Sequence, residues 1–290
     1  MKIVKIIGGL GNQMFQYAFY LSLKKKYPEE VIKIDTTMFD TYGLHNGFEL
    51  KFIFGVDAEY ASRQDIRRLS FFVRFYKIQR ALRKMLPTRK TECIEKNDFD
   101  FMPVVWSSND RYYEGYWQNL KYFVDAQAEV RAAFTFKKEL PKRNIELIEK
   151  IQSTETSVSL HIRRGDYLNH KLFGGICDID YYKKAIEYVL ENCDTPQFYL
   201  FSNDIEWCRI NILPLVKGNP LTFVDWNSGL ESYIDMQLMS CCRINIIANS
   251  SFSWWAAWLN DSSGKMVIAP KLWAHSPWGA EIQLKSWHLI

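Results

Sequence analysis

The chain begins with an apolar run, a glycine-rich turn and a second apolar pattern of a different period. Residues 2–7 read KIVKII, as in a short strand, and GGLGNQ follows. Apolar residues then recur at helical spacing through MFQYAFYLSLKKKY, and residues 31–35, VIKID, have the pattern of another strand. This order of strand, turn, helix and strand predicts a parallel α/β unit.

Strand and helix patterns alternate regularly from residue 158 onward. The strand patterns are VSLHI, QFYLF, LTFVD, INIIA and KMVIA, and helical patterns lie between them. Five strands that alternate with helices indicate a doubly wound parallel sheet. Residues 36–157 are harder to divide, but polar segments favour a boundary within 141–157. We therefore predict an N-terminal α/β domain at 1–150, with a basic helical insertion, and a C-terminal Rossmann-like domain at 151–290.

Composition sets the size and the class of the protein. The 290 residues include 48% hydrophobic and 24% charged side chains, which suits one large or two modest globular domains. We see neither a signal peptide nor an apolar stretch of the about 20 residues that cross a bilayer, so we expect a cytoplasmic protein. Six sparse cysteines without a C-x-x-C pair predict free, mostly buried thiols. Five scattered histidines predict no metal site.

One segment carries most of the positive charge. Residues 63–90 hold ten Lys or Arg and one Asp, a net charge of +9 in a chain whose total is +4. A helix here would align apolar side chains in one stripe, namely Phe71, Phe72, Phe75, Ile78, Leu82 and Met85. One interpretation is a basic amphipathic surface for anionic lipid headgroups, at the inner face of the membrane. The other is a solvated helix whose apolar side packs on the core. No nucleic acid partner is expected, because no recognised reader motif accompanies the charge.

Polar and charged side chains collect where three strands of the second half should end. They are His161, Arg163, Arg164 and Asp166 after the first strand, Ser202, Asn203 and Asp204 after the second, and Asn249, Ser250, Ser251 and Phe252 after the fourth. Ligands of open parallel sheets bind at the carboxyl ends of the strands. Arginine binds phosphate oxygens bidentately, and a helix that begins after NSS offers free N–H groups, so a diphosphate would suit the set. Two simpler interpretations stay open: Arg164 pairs with Asp166, and NSS is a helix N-cap.

The N-terminal glycines do not form a dinucleotide fingerprint. Counted from Gly9, Met14 stands where the third glycine of G-x-G-x-x-G belongs, and no acidic ribose ligand follows at the expected distance. The turn could still bring backbone close to a ligand, with Asn12 offering an amide, or it could be a tight turn without a ligand. Elsewhere, three tryptophans spaced one and four residues apart in SFSWWAAWL are predicted to be core rather than a sugar-stacking platform.

Four segments together resemble the signature stretches of the bacterial α-1,2-fucosyltransferases. They are GGLGNQMFQYAF at 8–19, HIRRGDYL at 161–168, FSNDIEWC at 201–208 and NSSFSWWAAWL at 249–259, in the family's order. The resemblance implies an α/β, GT-B-like fold, with two Rossmann-like domains facing each other across a cleft and the N-terminal one on the acceptor side. It also implies an inverting transfer of L-fucose from GDP-β-L-fucose to the 2-hydroxyl of a terminal galactose, without a metal or another cofactor.

The resemblance also assigns roles to single residues. Arg163 would contact the β-phosphate and act in catalysis, with His161 beside the nucleotide, while Arg164 and Asp166 would hold their loop. The remaining nucleotide-sugar contacts implied are Ser202, Asn203, Asp204, Asn249, Ser250, Ser251 and Phe252, with Asp204 on the guanine or ribose. Gly11 and Asn12 match the pair that faces the sugar in protein-O-fucosyltransferases, with a catalytic role for Asn12. Those relatives carry an arginine in place of Gly9, which here would be a donor contact.

Rival functions remain open from the residues alone. A transferase for another nucleotide sugar would share the two domains, and a non-catalytic glycan-binding protein would bind sugar without turnover. A scaffold at the membrane surface would use residues 63–90 alone. Under the fucosyltransferase interpretation the partners are GDP-fucose and a β-galactoside glycan, and the basic segment would bring the enzyme to lipid-linked acceptors.

Overall fold

A parallel sheet lies in each of two units, Met1–Lys138 and Glu139–Ile290. The computed structural model describes residues 1–43, 45–97, 99–276 and 281–290, without the side chains of Tyr42 and Asp166. The units divide at 138/139, whereas the sequence pattern placed the division at 150/151. The difference is the helix Lys142–Ser153, which hydrogen-bonds through Asn144 to residues of the second unit.

The first unit has a four-stranded sheet in the order β2-β1-β4-β3, with all neighbours parallel. Its strands are β1 Lys2–Lys5, β2 Ile32–Asp35, β3 Glu92–Ile94 and β4 Arg111–Glu114. Its helices are α1 Leu10–Lys26, α2 Phe39–Tyr42, α3 Leu50–Phe54, α4 Arg63–Leu69, α5 Tyr76–Arg83 and α6 Gln127–Ala133. The predicted order of β1, turn, α1 and β2 is confirmed. The strands β3 and β4 lie in the part of the sequence that the pattern did not resolve.

Helix α1 is the centre of the first unit, since 12 of its 17 residues are buried. Its Phe19 ring lies 4.9 Å from the Trp117 ring, 5.2 Å from Tyr113 and 5.5 Å from Tyr122, measured between centroids. Edge-to-face and tilted contacts of this kind add to the free energy of area burial. This aromatic cluster fixes α1 against β4 and therefore fixes the turn that precedes the helix.

The second unit has a six-stranded parallel sheet in the order β10-β9-β8-β5-β6-β7. Its strands are β5 Ser157–Ile162, β6 Gln197–Ser202, β7 Leu221–Val224, β8 Ile244–Ile246, β9 Met266–Ala269 and β10 His288–Leu289. Its helices are α7 Lys142–Ser153, α8 Ile179–Asn192, α9 Ile205–Asn211, α10 Tyr233–Ser240 and α11 Ser251–Leu259. All five predicted strands are confirmed. The exposed, two-residue β10 was not predicted, because it has no apolar pattern.

The burial of tryptophan and cysteine side chains confirms two further predictions. Trp254, Trp255 and Trp258 are 0–2% exposed and contact one another, so they belong to the core. All six cysteines are free, three of them buried and three half-buried. Across the part of the chain that the structure describes, no helix combines the length and the apolar character needed to cross a bilayer.

The apolar stripe predicted within 63–90 is wrong because it is longer than the helix that forms there. Helix α5 begins at Tyr76 and ends at Arg83, so Phe71 and Phe72 precede it and cannot share its face. The interpretation that the apolar side packs on the core holds for part of the stripe: Phe72 packs against core residues of the first unit and Leu82 is half-buried, whereas Ile78 and Met85 are exposed.

A buried asparagine pair joins four elements below the carboxyl edge of the second sheet. Asn245 on β8 donates to Ser159 Oγ on β5 (2.7 Å) and to the Met239 carbonyl on α10 (2.7 Å). Asn260, at the end of α11, donates to Asn245 Oδ1 (2.7 Å) and to the Cys242 carbonyl (2.7 Å). Both asparagines are 0% exposed, so their amides can only be satisfied inside the protein.

We predict that Asn245→Ala lowers the free energy of unfolding by about 3 kcal/mol, because it leaves a cavity and several buried polar groups unpaired. Urea unfolding followed by tryptophan fluorescence would measure the loss. Asn192→Ala is the matched control, since Asn192 donates a similar bond to the Tyr188 carbonyl from an exposed position. Equal losses in the two variants would contradict the prediction.

Candidate functional site

Three neighbouring strands of the second sheet end in polar loops. The order β8-β5-β6 places the residues that follow these strands side by side at one edge. The sequence predicted three polar groups at strand ends, and the topology brings them together because parallel strands share their carboxyl edge.

Arg164 joins the loop after β5 to the loop after β6. Its Nε donates to Asp204 Oδ2 (2.9 Å), its backbone N–H donates to Asn203 Oδ1 (2.9 Å), and its guanidinium carbon lies 3.8 Å from the Trp207 ring centroid. Gly165 has a φ of +60°, and a Cβ there would lie 2.7 Å from Asn203 Nδ2. Arg164 thus pairs with Asp204, and the suggested pairing with Asp166 falls on a side chain that lies outside the described residues.

Both carboxylate oxygens of Asp204 accept hydrogen bonds from other groups of the protein. Oδ1 accepts from the Trp207 N–H (3.2 Å) and caps α9, while Oδ2 accepts from Arg164. Ser202 Oγ in turn accepts from the Asp204 N–H (3.0 Å). A guanine or ribose contact would have to share the carboxylate with these bonds. The residues Ser202, Asn203 and Asp204 therefore act on the shape of the loop.

His161 and Arg163, the other two basic residues at the end of β5, differ in charge. His161 is 7% exposed, and burial, followed by the charge of Arg163, lowers the pKa of its imidazole to about 3. The ring is therefore neutral at physiological pH. Its Nδ1 is enclosed and has no hydrogen-bond partner within the described ranges. Arg163 is half-buried, with its guanidinium carbon 5.4 Å from the Tyr167 ring centroid. The positive charge at this position is that of Arg163.

The segment after β8 supplies a helix start. Ser250 Oγ accepts from the Phe252 N–H (3.3 Å), so the N-cap interpretation of NSS holds for Ser250. Ser251 and Phe252 form the first turn of α11 and are half-buried, and the Phe252 ring lies 5.8 Å from the His161 ring. The α11 N-terminus thus lies beside the end of β5, where its partial positive charge favours an anion.

Asn249 positions two neighbouring loops. Its Nδ2 donates to the carbonyls of Phe173 (3.2 Å) and Trp273 (3.1 Å). The same loops border a cavity of about 380 Å³, whose charged lining side chains are Asp178, Asp180, Lys184 and Lys271. Because Asn249 is 2% exposed and its amide nitrogen donates to both loops, it holds these loops together.

A half-buried carboxyl group follows the edge strand β7, and the sequence interpretation missed it. Asp235 Oδ1 accepts from Asn227 Nδ2 (2.8 Å), and Asn227 Oδ1 accepts from Asn144 Nδ2 (2.9 Å). Asn144 Oδ1 accepts from the Trp226 indole (2.8 Å). Burial raises the pKa of Asp235 to about 7, against the hydrogen bond from Asn227. The signal in the sequence was an aspartate within the apolar helix pattern YIDMQLM.

Gly9, Gly11 and Asn12 lie in the first unit, at the carboxyl end of β1, and so belong to a different sheet from the residues above. Gly8 has a φ of +93°, and a Cβ on it would lie 2.8 Å from Asn12 Nδ2, so this turn requires glycine. Asn12 Oδ1 accepts from Gln118 Nε2 (2.7 Å). The turn is therefore built around the Asn12 amide.

The edge formed by β8, β5 and β6 can bind an anion with an attached polar group. It combines the Arg163 cation, the α11 N-terminus and the neutral imidazole of His161. Among the described residues, no group of three His, Cys, Asp or Glu side chains is arranged to hold a metal ion.

Comparison with known proteins gives the family. The model of glycosyl transferase family 11 matches residues 72–290. The chain belongs to glycosyl transferase family 11. This membership confirms the resemblance drawn from the four motifs, and the protein is a glycosyltransferase.

Relatives of this family-11 chain differ in the sugar they are named for. An alpha-1,2-colitosyltransferase from Escherichia coli is 34% identical over 284 residues, which cover 93% of this chain and 91% of the relative. The O-antigen biosynthesis glycosyltransferase WbnK of Escherichia coli is 31% identical, with 97% of both chains covered. A galactoside alpha-(1,2)-fucosyltransferase 1 from Saimiri boliviensis boliviensis is 26% identical over 147 residues, 48% of this chain and 40% of the relative.

The fold of this family-11 chain is similar to that of a solved fucosyltransferase. The NodZ alpha-1,6-fucosyltransferase, co-crystallized with GDP, has a TM-score of 0.50 and 15% identity, and the match covers 89% of this chain and 91% of NodZ. The same score is found for NodZ from Bradyrhizobium. At this identity the likeness shows the fold, and it confirms the GT-B-like α/β class.

We predict that Asp235→Asn removes a pH dependence of stability. The folded carboxyl has a pKa of about 7 against an unfolded value near 3.8, so the folded state binds more protons between these values and wild-type stability falls as pH rises. Urea unfolding at pH 5 and pH 8 should show wild type losing about 2 kcal/mol relative to the variant. The exposed Asp180→Asn is the control, and curves of wild type and Asp235→Asn that stay parallel would refute the prediction.

Proposed function

We propose that this family-11 enzyme transfers L-fucose from GDP-β-L-fucose to the 2-hydroxyl of a terminal galactose, with inversion to an α-1,2 linkage. The observation that carries the proposal is the edge formed by Arg163, His161 and the α11 N-terminus in a chain of this family. The NodZ structure with GDP and the relative named as a galactoside alpha-(1,2)-fucosyltransferase support the donor and the acceptor.

In this proposal the diphosphate binds in the second unit. The Arg163 guanidinium pairs with β-phosphate oxygens, and the N–H groups of the first turn of α11 bind further oxygens. The neutral His161 donates or accepts one hydrogen bond without adding charge, which would satisfy its enclosed Nδ1. Arg164 and Asp204 hold the loop in which Arg163 stands.

The transfer is a single displacement at the anomeric carbon. The galactose O2 attacks from the face opposite GDP, so the O2–C1 bond forms while the bond from C1 to the β-phosphate oxygen breaks. Positive charge develops on the sugar ring, and negative charge on the phosphate, which Arg163 stabilises. The hydroxyl proton leaves to a base or to water, and GDP keeps the electron pair of the broken bond.

We predict that Arg163→Ala costs about 3 kcal/mol of transition-state stabilisation, on the order of 100-fold in kcat/KM. Arg163→Lys should recover only part of the loss, because lysine keeps the charge but not the bidentate geometry. Steady-state rates of GDP release, with calorimetric GDP affinities, would test both variants. Arg243→Ala is the matched control, since this exposed arginine precedes β8 at the opposite edge of the sheet. Near wild-type turnover in Arg163→Ala would remove the residue from the mechanism.

A colitosyl donor is the second candidate, because the relative that is 34% identical is named for colitose. Colitose lacks the 3-hydroxyl of fucose, so the two donors differ by one polar group. A site that hydrogen-bonds this hydroxyl discriminates by about 10⁴-fold or more, whereas an apolar pocket discriminates only weakly. A preference measured between the two donors therefore reports on the chemistry of the site.

The deciding experiment offers the purified enzyme GDP-fucose, GDP-colitose and another nucleotide sugar, in EDTA, with a panel of β-galactosides. We expect a fucosylated product, with kcat/KM for GDP-fucose about 100-fold or more above that for GDP-colitose and linkage to O2. Dominant transfer of colitose would establish the second candidate instead. Turnover that EDTA abolishes would overturn the metal-independent mechanism, and sugar binding without any turnover would indicate a glycan-binding protein.

A further inference from the structure

Helix α5 buries a polar side chain, Gln79, and leaves an apolar one, Ile78, exposed. Gln79 is 5% exposed, whereas Ile78 is 48% exposed and Met85, just beyond the helix, is 81% exposed. Phe75, at the N-cap, is 54% exposed. A surface helix of a soluble protein normally has the opposite arrangement.

Specific contacts hold the helix in this orientation. Arg83 Nη2 lies 2.8 Å from Glu92 Oε1, and Arg83 Nε lies 3.8 Å from Glu114 Oε2. Gln79 Oε1 accepts from the Val73 N–H (2.9 Å). Rotating α5 to bury its apolar stripe would separate Arg83 from the buried carboxylate of Glu92, and breaking a buried ion pair is strongly unfavourable. The exposed apolar stripe is therefore a stable feature of the fold.

Basic side chains flank the stripe. Arg74, Lys77, Arg80 and Lys84 are exposed and form no salt bridge with the residues that the structure describes. At about 100° per residue, Lys77 and Lys84 lie about 80–120° around the helix from Ile78 and Met85, and Arg80 lies between Lys84 and Arg83. We call the exposed set the α5 surface; its residues are Arg74, Phe75, Lys77, Ile78, Arg80, Lys84, Met85 and Leu86.

We propose that the α5 surface binds an anionic lipid bilayer, with the helix in the plane of the interface. Apolar side chains enter the acyl boundary and the basic ones contact the headgroups, as in interfacial amphipathic helices. Nucleic acid would use the charge but leave the apolar stripe in water. A second copy would bring two segments of net charge +9 together, which is repulsive. This inference does not depend on which sugar the enzyme transfers.

Vesicle co-sedimentation of the full chain tests the proposal with two double variants. Arg80→Gln/Lys84→Gln should lower partitioning onto phosphatidylcholine–phosphatidylglycerol vesicles about 30-fold, and Ile78→Ser/Met85→Ser at least about 10-fold. Arg83 is left unchanged because its ion pair with Glu92 belongs to the fold. The matched control is Ile210→Ser/Lys142→Gln, which changes an isoleucine that is 74% exposed and a lysine side chain that is 91% exposed in the second unit.

The expected pattern is binding to anionic vesicles that weakens in high salt, little binding to pure phosphatidylcholine, and loss only in the two α5 variants. All variants should keep wild-type turnover with a soluble acceptor and wild-type thermal unfolding, because the changed side chains are exposed. Equal vesicle binding by the α5 variants and the control would overturn the proposal. So would an absence of vesicle binding, whether the protein then binds duplex DNA through its arginines or forms a dimer that Ile78→Ser/Met85→Ser dissociates.

Discussion

The ion pair between Arg164 and Asp204 supports the rest of the edge formed by β8, β5 and β6. It links the ends of β5 and β6, and the same aspartate caps α9, so one carboxylate fixes two loops and a helix. Of the two adjacent arginines in HIRRGD, Arg164 therefore serves the fold. An arginine and a lysine would not be equivalent at position 164, because the planar guanidinium also stacks on Trp207.

Burial shifts the pKa values of one imidazole and one carboxyl group of the second unit in opposite directions. It lowers the pKa of His161 to about 3 and raises that of Asp235 to about 7, so both tend toward their uncharged forms. Their effects on stability oppose each other in mildly acidic solution. Because the folded state resists protonation at His161, this residue makes the protein more stable at higher pH. Because the folded state retains the proton on Asp235, that residue makes the protein more stable at lower pH.

The sequence predicted the features that follow from a local pattern of residues. It did not predict the features that depend on contacts between residues far apart in the chain. Alternation of strands and helices from residue 158 predicted the central sheet, and the parallel arrangement then required three polar loops to meet. The pairing of Arg164 with Asp204 could not be predicted, because the two residues lie 40 positions apart in the chain and only the fold brings them together. The orientation of α5 depends on Glu92 and Glu114, which no periodicity within the helix contains. The strands β3 and β4 are short, and the polar segments around them obscured their pattern.

Substitutions on one side of α5 depend on one another, whereas substitutions on the other side are independent. Arg83, Glu92 and Glu114 form one charge group around the buried Glu92 carboxylate, so the effects of substitutions within it depend on one another. Ile78 and Met85 contact little of the protein, and each could be replaced alone without loss of the fold. A lineage could therefore gain, tune or lose the exposed stripe by single steps, while the orientation of the helix that displays it would persist.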